Sequence, residues 1–172
     1  MKSVLHLLAM AAHDNYVVDF QAFKTLDNYF IIKELCIVNV DKNYYIHVMV
    51  KPYTSYANLH NNEFKKRINF LTNNVHGILW NSGYVNEEVA IDLLRNNLKN
   101  ARTVYIKGSE RVEFLRDVLY QYDVRVKDLD IFNFRGIDEM EFPCCNYTYR
   151  HCQLRCAKRK ALAYAYWLQM NK

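Results

Sequence analysis

Three apolar runs rich in branched and aromatic residues fill positions 16–50, and segments of helical period follow them without a linker. That order, more than any single motif, limits what the chain can fold into. Residues 16–23 carry Val17, Val18, Phe20 and Phe23 around one acid, Asp19, the composition of a short strand. Residues 29–40 and 44–50 are separated by Asp41-Lys42-Asn43 and read as a hairpin. Pro52 closes the second strand, because proline has no amide to give a ladder. Three antiparallel strands therefore open the domain.

The period then changes. Phe64, Ile68 and Leu71 recur at helical spacing over 63–75, behind Asn61 and Asn62, whose side chains suit a helix cap. After His76-Gly77-Ile78 and a turn at Gly83, residues 86–98 repeat the pattern with Val89, Leu93, Leu94 and Leu98, capped by Asn86. A strand at 103–106 follows, then a helix from Ser109 with Val112, Leu115, Val118 and Leu119 inward. A short strand at 124–126 precedes a terminal helix over 153–169 that turns Leu154, Ala157, Ala161, Ala165 and Leu168 inward. Three antiparallel strands and then alternating strands and helices predict an α/β fold with a mixed sheet flanked by helices. At 172 residues, with four glycines, two prolines and no Ser- or Gly-rich run, residues 1–172 read as a single domain.

Lysine and arginine exceed the acids by 23 to 18, and the excess crowds Arg150, Arg155, Lys158, Arg159 and Lys160. Such a face is either simply solvated or attracts a polyanion. Abundant Asn, Lys, Tyr, Ile and Phe match an AT-rich coding sequence, as in an insect virus or arthropod element. The apolar opening over 1–12 is interrupted by His6 and too short for a secretion signal. No run approaches the ~18 apolar residues of a membrane span. The expectation is an intracellular protein, of cytoplasm or nucleus, without a membrane partner. Tyr44, Tyr45, Tyr53 and Tyr56 read as cover for a sheet more than as base-stacking platforms.

Four of the five cysteines and His151 lie between Cys144 and Cys156. So short a span does not suit a multi-disulfide scaffold, and a reducing compartment fits it better. Thiolate and imidazole are ligands that zinc takes in a tetrahedron. The spacing Cys145-x5-His151-x4-Cys156 lets a loop and the first turn of the terminal helix clasp one ion. The fourth ligand stays open among Cys144, Cys152 and Glu110, and the competing reading is a group of thiols packed as small hydrophobes. His76 reads as a turn residue that sends Ile78 into the core, while His6, His13, His47 and His60 have no partner at useful spacing.

Taken in this order, the segments resemble the ribonuclease H-like fold of the DEDDh 3′-5′ exonucleases over about residues 14–170. Val18-Asp19-Phe20-Gln21 stands where that family has its first Asp-x-Glu, and Met49-Val50-Lys51-Pro52 is similar to its third strand. Val75-His76-Gly77-Ile78 resembles its His-Gly-Ile turn, and 104–115 the strand and helix around its second Asp. Residues 151–157 resemble its last motif, a His followed five positions later by Asp. Gln21 replaces the Glu, Arg111 the second Asp and Cys156 the last Asp, so Asp19 is the only retained carboxylate. Such nucleases hold two divalent ions on four carboxylates. The resemblance therefore implies no secure catalytic residue and disfavours magnesium. The chain is also similar to the Maelstrom domain, a relative with a Glu-Cys-His-Cys zinc site. That similarity implies a structural zinc on Glu110, Cys145, His151 and Cys156.

The function expected is that of a catalytically degenerate exonuclease-like domain binding RNA, other single-stranded nucleic acid or a protein partner. Its setting would be RNA metabolism, silencing or a viral counter-defence. Lys107, Tyr149, Arg150, Arg155, Lys158 and Arg159 are the candidate nucleic-acid contacts. An active single-strand ribonuclease and a structural interaction protein of a virus or mobile element are the alternatives.

Overall fold

A computed structural model describes residues 13–134 and 137–171. The reading of positions 1–12 lies outside the described residues, as do the side chains of Tyr149 and Leu154. Strands β1 (Asn15–Lys24), β2 (Phe30–Asn39) and β3 (Tyr44–Met49) form an antiparallel meander. β4 (Thr103–Ile106) lies parallel to β1, and β5 (Arg125–Asp128) parallel to β4, giving the order β3-β2-β1-β4-β5. Helices α1 (Asn62–Leu71), α2 (Glu87–Leu98), α3 (Ser109–Val118), α4 (Tyr149–Leu154) and α5 (Ala157–Met170) complete the domain. The mixed α/β sheet expected from the periodicities is present. No helix among the described residues is long and apolar enough to cross a membrane.

Alternation along β1 sends Tyr16, Val18 and Phe20 to one face, where they pack with Ala90, Leu94 and Leu98 of α2 and Val112 and Leu115 of α3. Val17, with Cys36 and Val38 of β2, faces Ala157, Ala161 and Ala165 of α5. Those alanines let α5 lie close against the sheet. The β1–β2 register slips at one place: Gln21 pairs with Glu34 but Ala22 with Ile32, so Lys33 is the extra residue of a bulge. The Lys33 amine is fully buried and donates to the carbonyls of Trp80 (2.7 Å) and Ser82 (2.5 Å). Burial lowers its pKa to about 7. Beyond the bulge Leu35 and Ile37 share the face of Ile32, leaving Glu34 and Cys36 on the side of α5.

Two helix boundaries and one cap differ from the sequence reading. The first helix ends at Leu71 and widens into a π-type turn over Thr72–His76. Asn61 does cap it, accepting from the Phe64 amide, whereas Asn86 makes no side-chain capping bond. The terminal helix is broken: α4 ends at Leu154, Arg155 and Cys156 are non-helical, and α5 starts at Ala157. The apolar pattern runs unbroken through this joint, but the Thr148 hydroxyl caps α4 by accepting from the His151 amide. Arg159 donates to the Cys152 carbonyl (2.9 Å) and the Phe142 carbonyl (2.8 Å), fixing the loop and α4 beside α5.

Gly83 sits at φ +117, where an added Cβ would lie 2.3 Å from the Val50 carbonyl carbon. The close approach holds the Val50–Val85 bridge at the sheet edge. Gly83→Ala is expected to destabilise the fold by at least about 2 kcal/mol, measured by denaturant unfolding.

Candidate metal centre

Four side chains from distant parts of the chain converge under α5: Glu34, Cys145, His151 and Cys156, whose donor atoms all lie within 4.8 Å of one another. Glu34 and His151 have no solvent exposure, and Cys156 is buried. The Glu34 carboxylate is the hub. Its Oε2 is 2.7 Å from His151 Nε2 and accepts from the Ala157 amide at 3.1 Å. Its Oε1 is 3.0 Å from His47 Nε2 and 3.8 Å from Cys156 Sγ. The Cys145 amide in turn donates to Cys156 Sγ at 3.3 Å.

His151 is aimed from behind. Its Nδ1 donates to the His76 carbonyl at 2.5 Å, which fixes the ring and leaves Nε2 facing the cluster. His76 is itself locked, because its Nδ1 accepts from the Ile78 amide at 3.0 Å across Gly77, which sits at φ +71. The expected structural role of His76 therefore holds, with the further result that the turn is a platform for His151. A Cβ on Gly77 would meet the His151 backbone at 3.4 Å.

The donor set fits a zinc ion. Bonds of about 2.0–2.3 Å in a tetrahedron place ligand atoms roughly 3.3–3.8 Å apart, which small side-chain movements reach here. A metal-binding imidazole usually has its far nitrogen hydrogen-bonded to a carbonyl or carboxylate, as His151 Nδ1 has on the His76 carbonyl. Two sulfurs among four donors disfavour magnesium. Electrostatics point the same way. Burial alone would raise the Glu34 carboxyl, but hydrogen bonds from His151 and His47 bring its pKa down to about 2. Burial opposes charging of His151, yet Cys156 and Glu34 raise it to about 10. Cys145 and His151 lower Cys156 to about 4 against the effect of burial, while the interaction with Cys156 and burial raise Cys145.

Cys145, His151 and Cys156 thus come together as the spacing predicts, but Glu110 does not join them. It lies in the first turn of α3, its side chain 67% exposed, paired with Lys24 at 2.7 Å. Glu34 takes the fourth position. Cys144 and Cys152 stay outside the set, and all five cysteines are free thiols. Sequence reasoning missed Glu34 and its partner His47, although Lys33-Glu34 interrupts an otherwise apolar strand. A charge in such a strand must find buried partners.

Beside this cluster, the carboxylate of Asp19 is 2% exposed and its Oδ1 is 3.2 Å from Arg111 Nη1. The guanidinium lies over the Phe20 ring at 4.6 Å. Burial pushes Asp19 up to about 7 despite the opposing charge of Arg111. Of the basic residues singled out in the sequence, Lys107 and Arg155 line the same cavity as Asp19 and Arg111, together with Lys160. Lys158 instead covers the Tyr45 ring at 4.8 Å. Arg159 is engaged with backbone carbonyls, and Arg150 is exposed on α4.

Sheet order, strand directions and helices on both faces define a ribonuclease H-like fold of the exonuclease I kind. Among solved structures the chain is similar to an exonuclease I from Methylocaldum szegediense, with a TM-score of 0.52 and 14% identity over 92% of this chain and 41% of that one. It is also similar to E. coli exonuclease I in complex with a 5cy-dA13 oligonucleotide, with a TM-score of 0.50 and 13% identity over 89% of this chain and 38% of the other. The chain spans about two fifths of the length of those enzymes. No family profile and no curated protein sequence matches it.

Two outcomes follow from the geometry. Glu34→Ala should weaken zinc binding by more than about 100-fold, whereas Glu110→Gln leaves it unchanged, as read by competition with a chromophoric chelator. Because His151 and Cys145 hold protons in the metal-free site, zinc binding should release about two protons near neutral pH and tighten as pH rises, measured by calorimetry in buffers of different ionisation enthalpy. Asp19 has a third. The folded protein holds its proton more tightly than the unfolded chain, so this group lowers stability as pH rises from 3.8 to about 7. Asp19→Asn should flatten that part of the stability profile, a change of roughly 1–3 kcal/mol in denaturant unfolding.

Proposed function

We propose that this is a catalytically degenerate exonuclease-like domain that carries a structural zinc and binds single-stranded nucleic acid, RNA in the first place. The observation that carries this reading is Arg111 at 3.2 Å from Asp19. A fixed guanidinium occupies the neighbourhood of the one carboxylate that the exonuclease resemblance retains, and Gln21 beside it brings no charge. Divalent ions need several anionic oxygens to bind and activate water, and a cation in their place repels them. The zinc site joins β2, the loop around Cys145 and the α4–α5 joint, so its binding energy stabilises the fold. The buried Glu-Cys-His-Cys set is what supports the likeness to the Maelstrom domain, with Glu34 as its acid.

Nucleic-acid binding is supported by the cluster of Lys107, Arg111, Arg155 and Lys160 on one cavity. The oligonucleotide carried by the E. coli exonuclease I structure supports the same reading. A role in RNA metabolism, silencing or viral counter-defence is the setting that such a domain fits.

Purified protein should contain about one zinc per chain and melt at a lower temperature once the metal is chelated. With magnesium or manganese it should leave single-stranded RNA and DNA intact. Binding to labelled RNA should weaken steeply as salt is raised. Metal-dependent cleavage that disappears in Asp19→Asn would overturn the degenerate reading in favour of an active nuclease.

A further inference from the structure

The cavity beside Asp19 has the features of an anion site. Its volume is about 250 Å³, and it opens between the middle of β1, the β4–α3 turn, the α4–α5 joint and the first turns of α5. This is below the roughly 300–1,000 Å³ of common ligand pockets, and suits a phosphate group with part of its sugar. Lys107, Arg111, Arg155 and Lys160 line it against only two acids, Asp19 and Asp130.

The existing pairs engage these cations to different degrees. Arg111 reaches one oxygen of Asp19. Lys107 stands 4.0 Å from Asp130, both about half exposed, and Lys160 is 3.4 Å from Glu139. Arg155 is exposed and forms no ion pair among the described residues. Of these, the exposed Lys107–Asp130 pair contributes about 0–1 kcal/mol and yields readily to an anionic ligand, whereas the Lys160 side chain is only 18% exposed and Asp19 is buried. Arg111 is already held in place by the Phe20 ring beneath it and by Asp19, and a planar guanidinium matches phosphate oxygens in pairs.

A second feature is independent of the cations. Asp19 Oδ2 is buried without a hydrogen-bond partner among the described residues, in a side chain that lines the cavity. A buried polar atom left alone in this way is costly, and a ligand that meets it removes the cost. With its pKa near neutrality, the carboxyl can carry a proton and donate it in a hydrogen bond to a phosphate oxygen.

We propose that this pocket binds a phosphate of single-stranded nucleic acid directly, Arg111 and its neighbouring lysines replacing by hydrogen bonds the divalent ions that grip phosphate in hydrolytic relatives. The ligand class rests on the nucleic-acid reading above. The phosphate is either a terminal monoester or an internal diester, and both share the chemistry recognised here.

The test uses the zinc-loaded 172-residue protein in magnesium-free buffer and fluorescence anisotropy of a labelled oligoribonucleotide. Lys107→Gln/Lys160→Gln removes two cavity-lining charges outside the Asp19–Arg111 pair. It should weaken binding about tenfold or more and reduce the slope of log affinity against log salt by about 0.7, the share of one phosphate. Asp19→Asn/Arg111→Gln removes the buried pair together, so neither member is left uncompensated, and it should weaken binding similarly. Added magnesium should not strengthen it. Unlabelled competitors ending in 5′-phosphate, 3′-phosphate or free hydroxyls separate terminal from internal recognition. Unchanged affinity in both double variants, with unchanged melting, overturns the pocket while leaving nucleic-acid binding in place. If the protein binds no oligonucleotide but inorganic phosphate raises the melting temperature of wild type and of neither variant, the pocket stands and the nucleic-acid reading falls. If neither ligand has an effect, both fall.

Discussion

The structure depends on one buried charge. Glu34 is a full carboxylate with no solvent exposure on a central strand, and such a group survives only when it is paired and hydrogen-bonded. Here it is met by two imidazoles and a backbone amide drawn from three other elements. Each of those donors fixes a part of the chain: His47 holds β3, His151 holds α4, and the Ala157 amide places the start of α5. The bulge at Lys33 belongs to the same arrangement, since it sets which residues of β2 face α5. A metal ion on this set would add its charge where the anionic donors already gather.

Much of the frame could be read from the sequence, because period and burial are local properties. Val17 and Val18 on opposite faces of β1, or Leu94 and Leu98 on one side of α2, follow from spacing alone. Three of the four clustered donors, Cys145, His151 and Cys156, are close in sequence and were visible for that reason. Glu34 was not, because 117 positions separate it from His151 and no spacing rule connects them. Glu110 looked suitable as the first acid of a helix, yet α3 points it outward to Lys24. The break at Arg155 was hidden too. Leu154, Ala157 and Ala161 keep helical spacing across it, while the contacts of the Cys156 sulfur with Glu34 and the Cys145 amide are tertiary and leave no trace in that spacing.

The two centres lie side by side on the sheet. In the β1–β2 ladder Asp19 pairs with Cys36 and Gln21 with Glu34, so one pair of strands carries the acid of the cationic cavity and the acid of the soft-donor cluster. Charge is segregated between them: Arg111, Lys107 and Lys160 surround Asp19, while two thiols and two imidazoles surround Glu34. One pair of interior strands thus carries two chemically different clusters a few residues apart.

The joint between α4 and α5 gives that proximity a mechanical meaning. Arg155 lines the cationic cavity and Cys156 belongs to the donor cluster, and one peptide bond separates them. The two residues share one planar peptide unit, so a displacement of the Cys156 backbone carries that of Arg155 with it. A change at the Cys156 sulfur that moves its main chain would therefore reach the cavity wall without any side chain in between.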